Sequence, residues 1–393
     1  MTLPCFLFLR MKVVFPFCLL LLASVGFSEV GPPPADEVER LSLEPIYKKY
    51  LSCRGFPIVS SGKVSDYALL EAAHVIEQML GTRQDILDAM TDNKVRLVIM
   101  APDEFTTDVP EHSDLEPKAY WDKRARGLGA TSRRPAVSVG EENVLGYAGD
   151  PYATESILVH EFAHALHQMG IRTVDPDFQL KLDQTFNRST LAGLWKGKYA
   201  GTNSSEYWAE AVQSWFDTNR ENDPEHNHVD TREELQEHDP GIAALVESIF
   251  GDGEWRYSHP RERLDDPHLE GYQPESAPAF SWPKEMIAAY EAIERGDGLK
   301  AVELQPIEKL ARDAATKDSG RTVSLRIENK RGDRVSVYWI GFDGIRRHYG
   351  DLDPGRRRNQ QTYGSHLWVV LDEKGKEMGW FSMPEEDALL VLR

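Results

Sequence analysis

The chain has 393 residues, 41% of them hydrophobic and 28% charged, with 64 acids against 45 bases for a net charge of −19. That is enough chain for two or three domains with cores of their own. The negative charge argues against nucleic acid and anionic membrane as partners.

Residues 1–28 read as an export signal: Arg10 and Lys12, an apolar run over 13–22, then small residues suited to cleavage near Ser28. The apolar run is too short for a stable membrane span. Cys5 and Cys18 would leave with this segment, so Cys53 has no partner for an internal disulfide. The expected location is secreted or periplasmic.

Gly31 to Pro34 reads as a stiff linker. Residues 58–60 are strand-like, and 64–80 have helical periodicity, with Leu69, Leu70, Ala73, Ile76 and Leu80 on one stripe. Residues 83–90 continue as helix, and 95–100 are a buried strand. The loop-rich stretch 102–150 contains an expected edge strand at 135–139, placed by analogy where extended substrate could pair.

The pattern over 152–169 predicts one helix, started by Asp150-Pro151 and stopped by Gly170. It carries His160-Glu161-Phe162-Ala163-His164. On a helix, histidines four apart share a face and can offer two nitrogens to one ion, with Glu161 beside them. That spacing is the HExxH signature of zinc hydrolases. His167 falls off this stripe and reads as outer packing.

Two histidines leave a catalytic zinc short of a ligand, because such a site takes three protein groups. A second strong helix is expected over 204–219, capped by Asn203 or Ser204. It presents Glu206 and Glu210 four residues apart, so one can ligate while the other receives a ligand histidine's N–H. Spacing leaves open which does which. His226 and His228 read as part of a solvated polar loop.

The stretch from Tyr199 through Glu206-Tyr207-Trp208-Ala209-Glu210-Ala211 resembles the end of the catalytic domain of anthrax lethal factor and related Pro-Pro endopeptidases. The resemblance spans roughly residues 150–220. It implies one Zn2+ held by His160, His164 and Glu206, with Glu210 behind the ligands. It also implies Glu161 as general base and Tyr199 as oxyanion donor.

Residues 241–250 and 282–295 read as helices, and 299–320 as a helical connector. From Thr322 the pattern changes to short alternating strands at 322–327, 334–340, 360–363, 366–371 and 377–381. On a strand, His366 and Trp368 share a face. Aromatic walls with a few hydrogen-bonding groups suit a hydroxylated pyrrolidine ring, although such aromatics also fill sandwich cores. Residues 325–372 resemble the β domain of the von Hippel–Lindau tumour suppressor. That family's 4-hydroxyproline pocket corresponds here to Trp339, Tyr349, Thr362, His366 and Trp368. No adaptor role is implied, since nothing after Arg393 could recruit ligase partners.

The expected fold class is therefore α+β: a mainly helical zincin-type metalloprotease domain with a small sheet over 35–295, a helical linker over 296–320, and an all-β sandwich module over 321–393. The expected activity is zinc-dependent hydrolysis of protein or peptide bonds in proline- or hydroxyproline-rich substrates. The alternative is a noncatalytic matrix-binding protein with a structural zinc.

Overall fold

The apolar run Arg96–Met100 is buried at every position, as a strand covered on both faces must be. In the computed structural model, which describes residues 29–393, it is β3 at the centre of a five-stranded sheet. The export-signal expectation lies outside the described residues. With β1 (Lys49–Cys53), β2 (Phe56–Ser60), β4 (Gly127–Leu128) and β5 (Ala136–Gly140), the order is β1-β2-β3-β5-β4. β2, β3 and β5 run parallel, while β1 and β4 are antiparallel to their neighbours. No helix among the described residues is long and apolar enough to cross a membrane.

Two expectations change here. The strand at 135–139 is internal rather than an edge, because the two-residue β4 pairs Gly127 with Val139 and Leu128 with Ser138. The expected Gly31–Pro34 linker is tied down: Gly31 bridges Tyr50, and Pro34 leads into the helix Ala35–Leu41.

The helix bearing the two histidines runs Ile157–Ala165 and continues as a π-helical stretch, Leu166–Ile171. It starts later than expected because Ser156 is the cap, its Oγ accepting from Val159 N at 3.3 Å. Asp150 spends its carboxylate on the Tyr152 N–H instead, at 2.9 Å. The helix also passes through Gly170. A Cβ there would stand 2.8 Å from Ile86 Cγ2, so the glycine permits close helix approach and is not a stop signal.

The second helix is Ser204–Trp215, with Asn203 as its cap. It packs on the first, and Trp208 Nε1 donates to Ala163 O at 3.0 Å. The other helices of this half include Asp66–Leu80, Gln84–Asp92, Lys118–Arg124, Phe178–Ala192, Arg232–His238, Pro240–Phe250 and Lys284–Arg295.

The linker expected to be helical over 296–320 contains no α-helix. Gly296 ends the preceding helix in the left-handed region at φ 82°, Lys300–Val302 forms β6, and only Ile307–Lys309 makes a 3-10 turn. Two four-stranded sheets follow. One is ordered β10-β7-β13-β6, with β7 Thr322–Asn329, β10 Arg357–Tyr363 and β13 Ala388–Leu392. The other is β12-β11-β8-β9, with β8 Val335–Ile340, β9 Arg346–Leu352, β11 Leu367–Asp372 and β12 Glu377–Ser382. Their inner faces share a core around Leu325, Trp368 and Leu390.

Candidate metal centre

His160 and His164 lie one turn apart on the same helix face, and the cap of the neighbouring helix brings Glu206 opposite them. Asn203 Oδ1 accepts from Ser205 N and Glu206 N at 2.9 and 3.0 Å, which fixes where that first turn begins. The result is a small triangle. His160 Nε2 is 3.1 Å from His164 Nε2, and Glu206 Oε2 lies 3.4 and 3.2 Å from those nitrogens. Bonds of ~2.0–2.1 Å at a tetrahedral angle put ligand atoms about 3.3 Å apart, so the three edges are those a tetrahedral ion requires.

The far nitrogens are spoken for. His160 Nδ1 is 2.7 Å from Gln213 Oε1, and His164 Nδ1 is 3.0 Å from Ser205 Oγ. Gln213 is itself oriented, since its Nε2 donates to Glu155 Oε2 at 3.2 Å and Ser156 O at 3.3 Å. The amide oxygen can therefore only accept, His160 donates from Nδ1, and its Nε2 lone pair faces the triangle.

The expected partner for a ligand histidine was Glu210. The structure gives that contact to Gln213, with Glu210 Oε1 farther away at 3.6 Å. Glu210 is buried and committed elsewhere: Asn219 Nδ2 donates to its Oε2, and His226 Nε2 lies 3.2 Å from the same oxygen. His226 is thus buried rather than part of a solvated loop, and its Nδ1 contacts Asp223 at 2.9 Å. His167 is likewise buried, not outer packing.

Burial opposes charge on His160, yet the hydrogen bond with Glu206 and the charges of Glu161 and Glu210 favour a positive charge at this point, which a proton on Nε2 or a metal ion bound to its lone pair can supply. Glu206 is held well below the usual carboxylate range, because the two imidazoles beside its Oε2 outweigh its own burial. Glu206 Oε2 is buried without a hydrogen bond of normal geometry. Two imidazole nitrogens and a carboxylate oxygen converge on one point, and that donor set suits zinc.

Glu161 and Tyr199 line the same cleft, of about 650 Å³. The Tyr199 ring stacks near His160, centroids 6.4 Å apart. Burial, reinforced by Glu206, raises its phenol so that it stays a donor. β4 forms one wall at close quarters: a Cβ on Gly129 would stand 2.7 Å from His164 Cβ.

Two other features carry less. His74, Asp266 and His268 also cluster, but the Arg263 guanidinium already pairs with Asp266 at 2.9 Å and with Glu71 beside them. A larger cavity of about 980 Å³ includes buried Glu141, whose Oε1 accepts from Ser65 N and Tyr147 Oη.

In the β module, the five expected residues come together. Trp339 stacks on His366 at 5.1 Å and meets Tyr349 at 6.3 Å; Tyr349 meets Trp368 at 5.0 Å. Thr362 Oγ1 is 3.4 Å from His366 Nδ1. Trp368 is only 1% exposed and belongs chiefly to the core. Two further residues take part: Thr316 Oγ1 accepts from Trp339 Nε1 at 3.1 Å, and Ser319 Oγ is 3.1 Å from His366 Nε2.

The VHL beta domain family matches residues 316–379. No curated protein matches the chain. Among solved structures, a Pro-Pro endopeptidase from Paenibacillus alvei is similar at 17% identity and a TM-score of 0.31, over 51% of this chain and 99% of that one.

Proposed function

We propose that this chain is an extracellular or periplasmic zinc-dependent endopeptidase. Its β module would bind hydroxyproline-containing segments of collagen-like or wall proteins. The observation that carries the catalytic half is the triangle of His160 Nε2, His164 Nε2 and Glu206 Oε2, whose edges of 3.1–3.4 Å suit one tetrahedral ion. The aromatic cluster around His366 and the family match over 316–379 support the binding half.

Zinc held there supplies a Lewis acid that polarises a carbonyl and acidifies water. Glu161 takes the proton of the attacking water and delivers it to the leaving amine. Tyr199 donates its phenolic hydrogen to the oxyanion of the tetrahedral intermediate. Gln213 and Ser205 hold the two imidazoles in the required tautomer and orientation.

Glu161→Gln keeps the ligand set and removes the base. The expected outcome is unchanged zinc stoichiometry by metal analysis, with hydrolysis lower by about 10²–10⁴-fold. Turnover at the wild-type rate would refute the assignment.

A further inference from the structure

Three arginines face the catalytic cleft, and two of them are committed. Arg126 is fully buried and pairs with Glu142, while Arg220 pairs with Glu155 at 3.0 Å and approaches Asp223 and Glu225. Arg124 differs. Among the described residues its guanidinium makes no ion pair and no hydrogen bond, and Arg124, an exposed residue overall, lines the cleft. Its one cation–π neighbour is Trp121, with the ring centroid 5.9 Å away.

The backbone beneath it is well anchored. Arg124 closes the helix Lys118–Arg124, which is held by Tyr120 stacking on Tyr290 at 5.9 Å and by Lys123 over the Trp282 ring at 4.5 Å. Tyr152 Oη donates to the Arg124 carbonyl at 2.8 Å. A fixed stem therefore presents an uncommitted guanidinium, on the same cleft as Tyr199 and close enough to Glu161 to feel its charge.

We propose that Arg124 is the anchor for a carboxylate of the bound peptide, so that this cleft selects substrates acidic near the scissile bond. The inference rests on reading the cleft as a peptide site and names its substrate class. The planar fork of a guanidinium matches a carboxylate through two parallel N–H···O bonds. A ligand carboxylate can take that fork, because Glu206 is engaged with the two histidines, Glu155 with Arg220 and Glu210 with Asn219 and His226, while Glu161, whose charge reaches Arg124, forms no ion pair with it among the described residues. Recognition of this kind would also overcome the general repulsion between an acidic peptide and a protein of net charge −19. The chain end and an Asp or Glu side chain offer the same chemistry, and the test separates them.

The test measures binding by fluorescence anisotropy on the full zinc-loaded chain carrying Glu161→Gln, with and without Arg124→Gln or Arg124→Lys. The probes are fluorescein-labelled Gly-Pro-Pro-Gly-Glu and Gly-Pro-Pro-Gly-Gln, each as free acid and as amide. Binding tighter by about tenfold or more for peptides with a carboxylate is expected, abolished by Arg124→Gln and partly kept by Arg124→Lys. A preference for Glu in the amidated pair assigns the side chain, and a preference for acid over amide in the Gln pair assigns the chain end. Equal binding of all four peptides, binding of none, or a preference that survives Arg124→Gln would overturn the proposal. Cleavage of the same peptides by the wild type is read separately, so a failed hydrolase assignment is distinguishable from a failed anchor.

Discussion

At the scale of single residues, Gln213 is the side chain on which the histidine geometry turns. It lies seven residues after Glu206 and three after Glu210, on the same helix face, and its oxygen holds His160 at 2.7 Å. Gln213→Ala is expected to weaken zinc affinity by about 10–100-fold, measured by competition with a chromophoric chelator. Glu210→Gln should cost less, since Glu210 stands farther from the imidazole. Helical periodicity could have found Gln213, because positions i, i+4 and i+7 share a face. On that face only the two glutamates carry charge, and nothing local marks the neutral Gln213 as a histidine partner. His226 had no such signal: it reaches Glu210 by a loop that returns through Asp223, and no spacing announces that return.

Three histidines, His112 and His167 buried and His74 half-buried, give the protein an acid limb. Burial lowers His74, His112 and His167 to about 4 each, below the ordinary value of 6.5. Above pH 6.5 they are neutral in both folded and unfolded states. As pH falls from 6.5 towards 4 the unfolded chain takes up protons that the folded one does not, so stability from these groups is lost as pH drops. His167, packed between Phe178 and Trp208, has no hydrogen bond of normal geometry at either ring nitrogen. His167→Leu should therefore raise the urea midpoint more at pH 5 than at pH 7.5. An equal change at both would contradict the assignment.

At the scale of elements, the site is two helices and a short strand held at close approach. Gly127 opens β4 and Gly129 follows it, where side chains would collide: a Cβ on Gly127 would meet Ile157 Cγ2 at 2.5 Å. Gly129→Ala is expected to push β4 away from the His164 turn and weaken zinc binding, seen as a smaller rise in melting temperature on adding zinc to stripped protein. The two helices were legible in the sequence because their amphipathic patterns are long and their apolar faces dense. β4, two residues long, was not, and without it β5 reads as an edge. Gly170 shows the same limit from the other side: a glycine at a helix end and one at a helix crossing look alike in one dimension.

At the scale of the whole molecule, the two halves meet through the helix Lys284–Arg295. Arg326 is 1% exposed, and it donates to the Glu294 carbonyl at 2.5 Å and to Glu294 Oε1 at 3.1 Å, while Arg357 reaches the other carboxylate oxygen. Glu294→Ala leaves a buried guanidinium short of one partner and should destabilise the chain by about 1–3 kcal/mol in urea unfolding. The division into a helical half and a strand-rich half was legible because the hydrophobic period changes from 3.6 to 2 near Thr322. The segment 296–320 was not legible because its strand, β6, is three residues long and pairs with β13, which lies some ninety residues further on. Only the completed sheet gives those three residues a reason to be extended.

The most direct test is cleavage of a peptide library varied in proline and hydroxyproline by the zinc-loaded chain, run beside Glu161→Gln and a chelator-treated control. Cleavage is expected by wild type alone, abolished by the chelator and restored by zinc, with products enriched near proline or hydroxyproline. Zinc bound at one equivalent with no cleavage of any peptide would contradict it and leave a binding protein whose metal is structural.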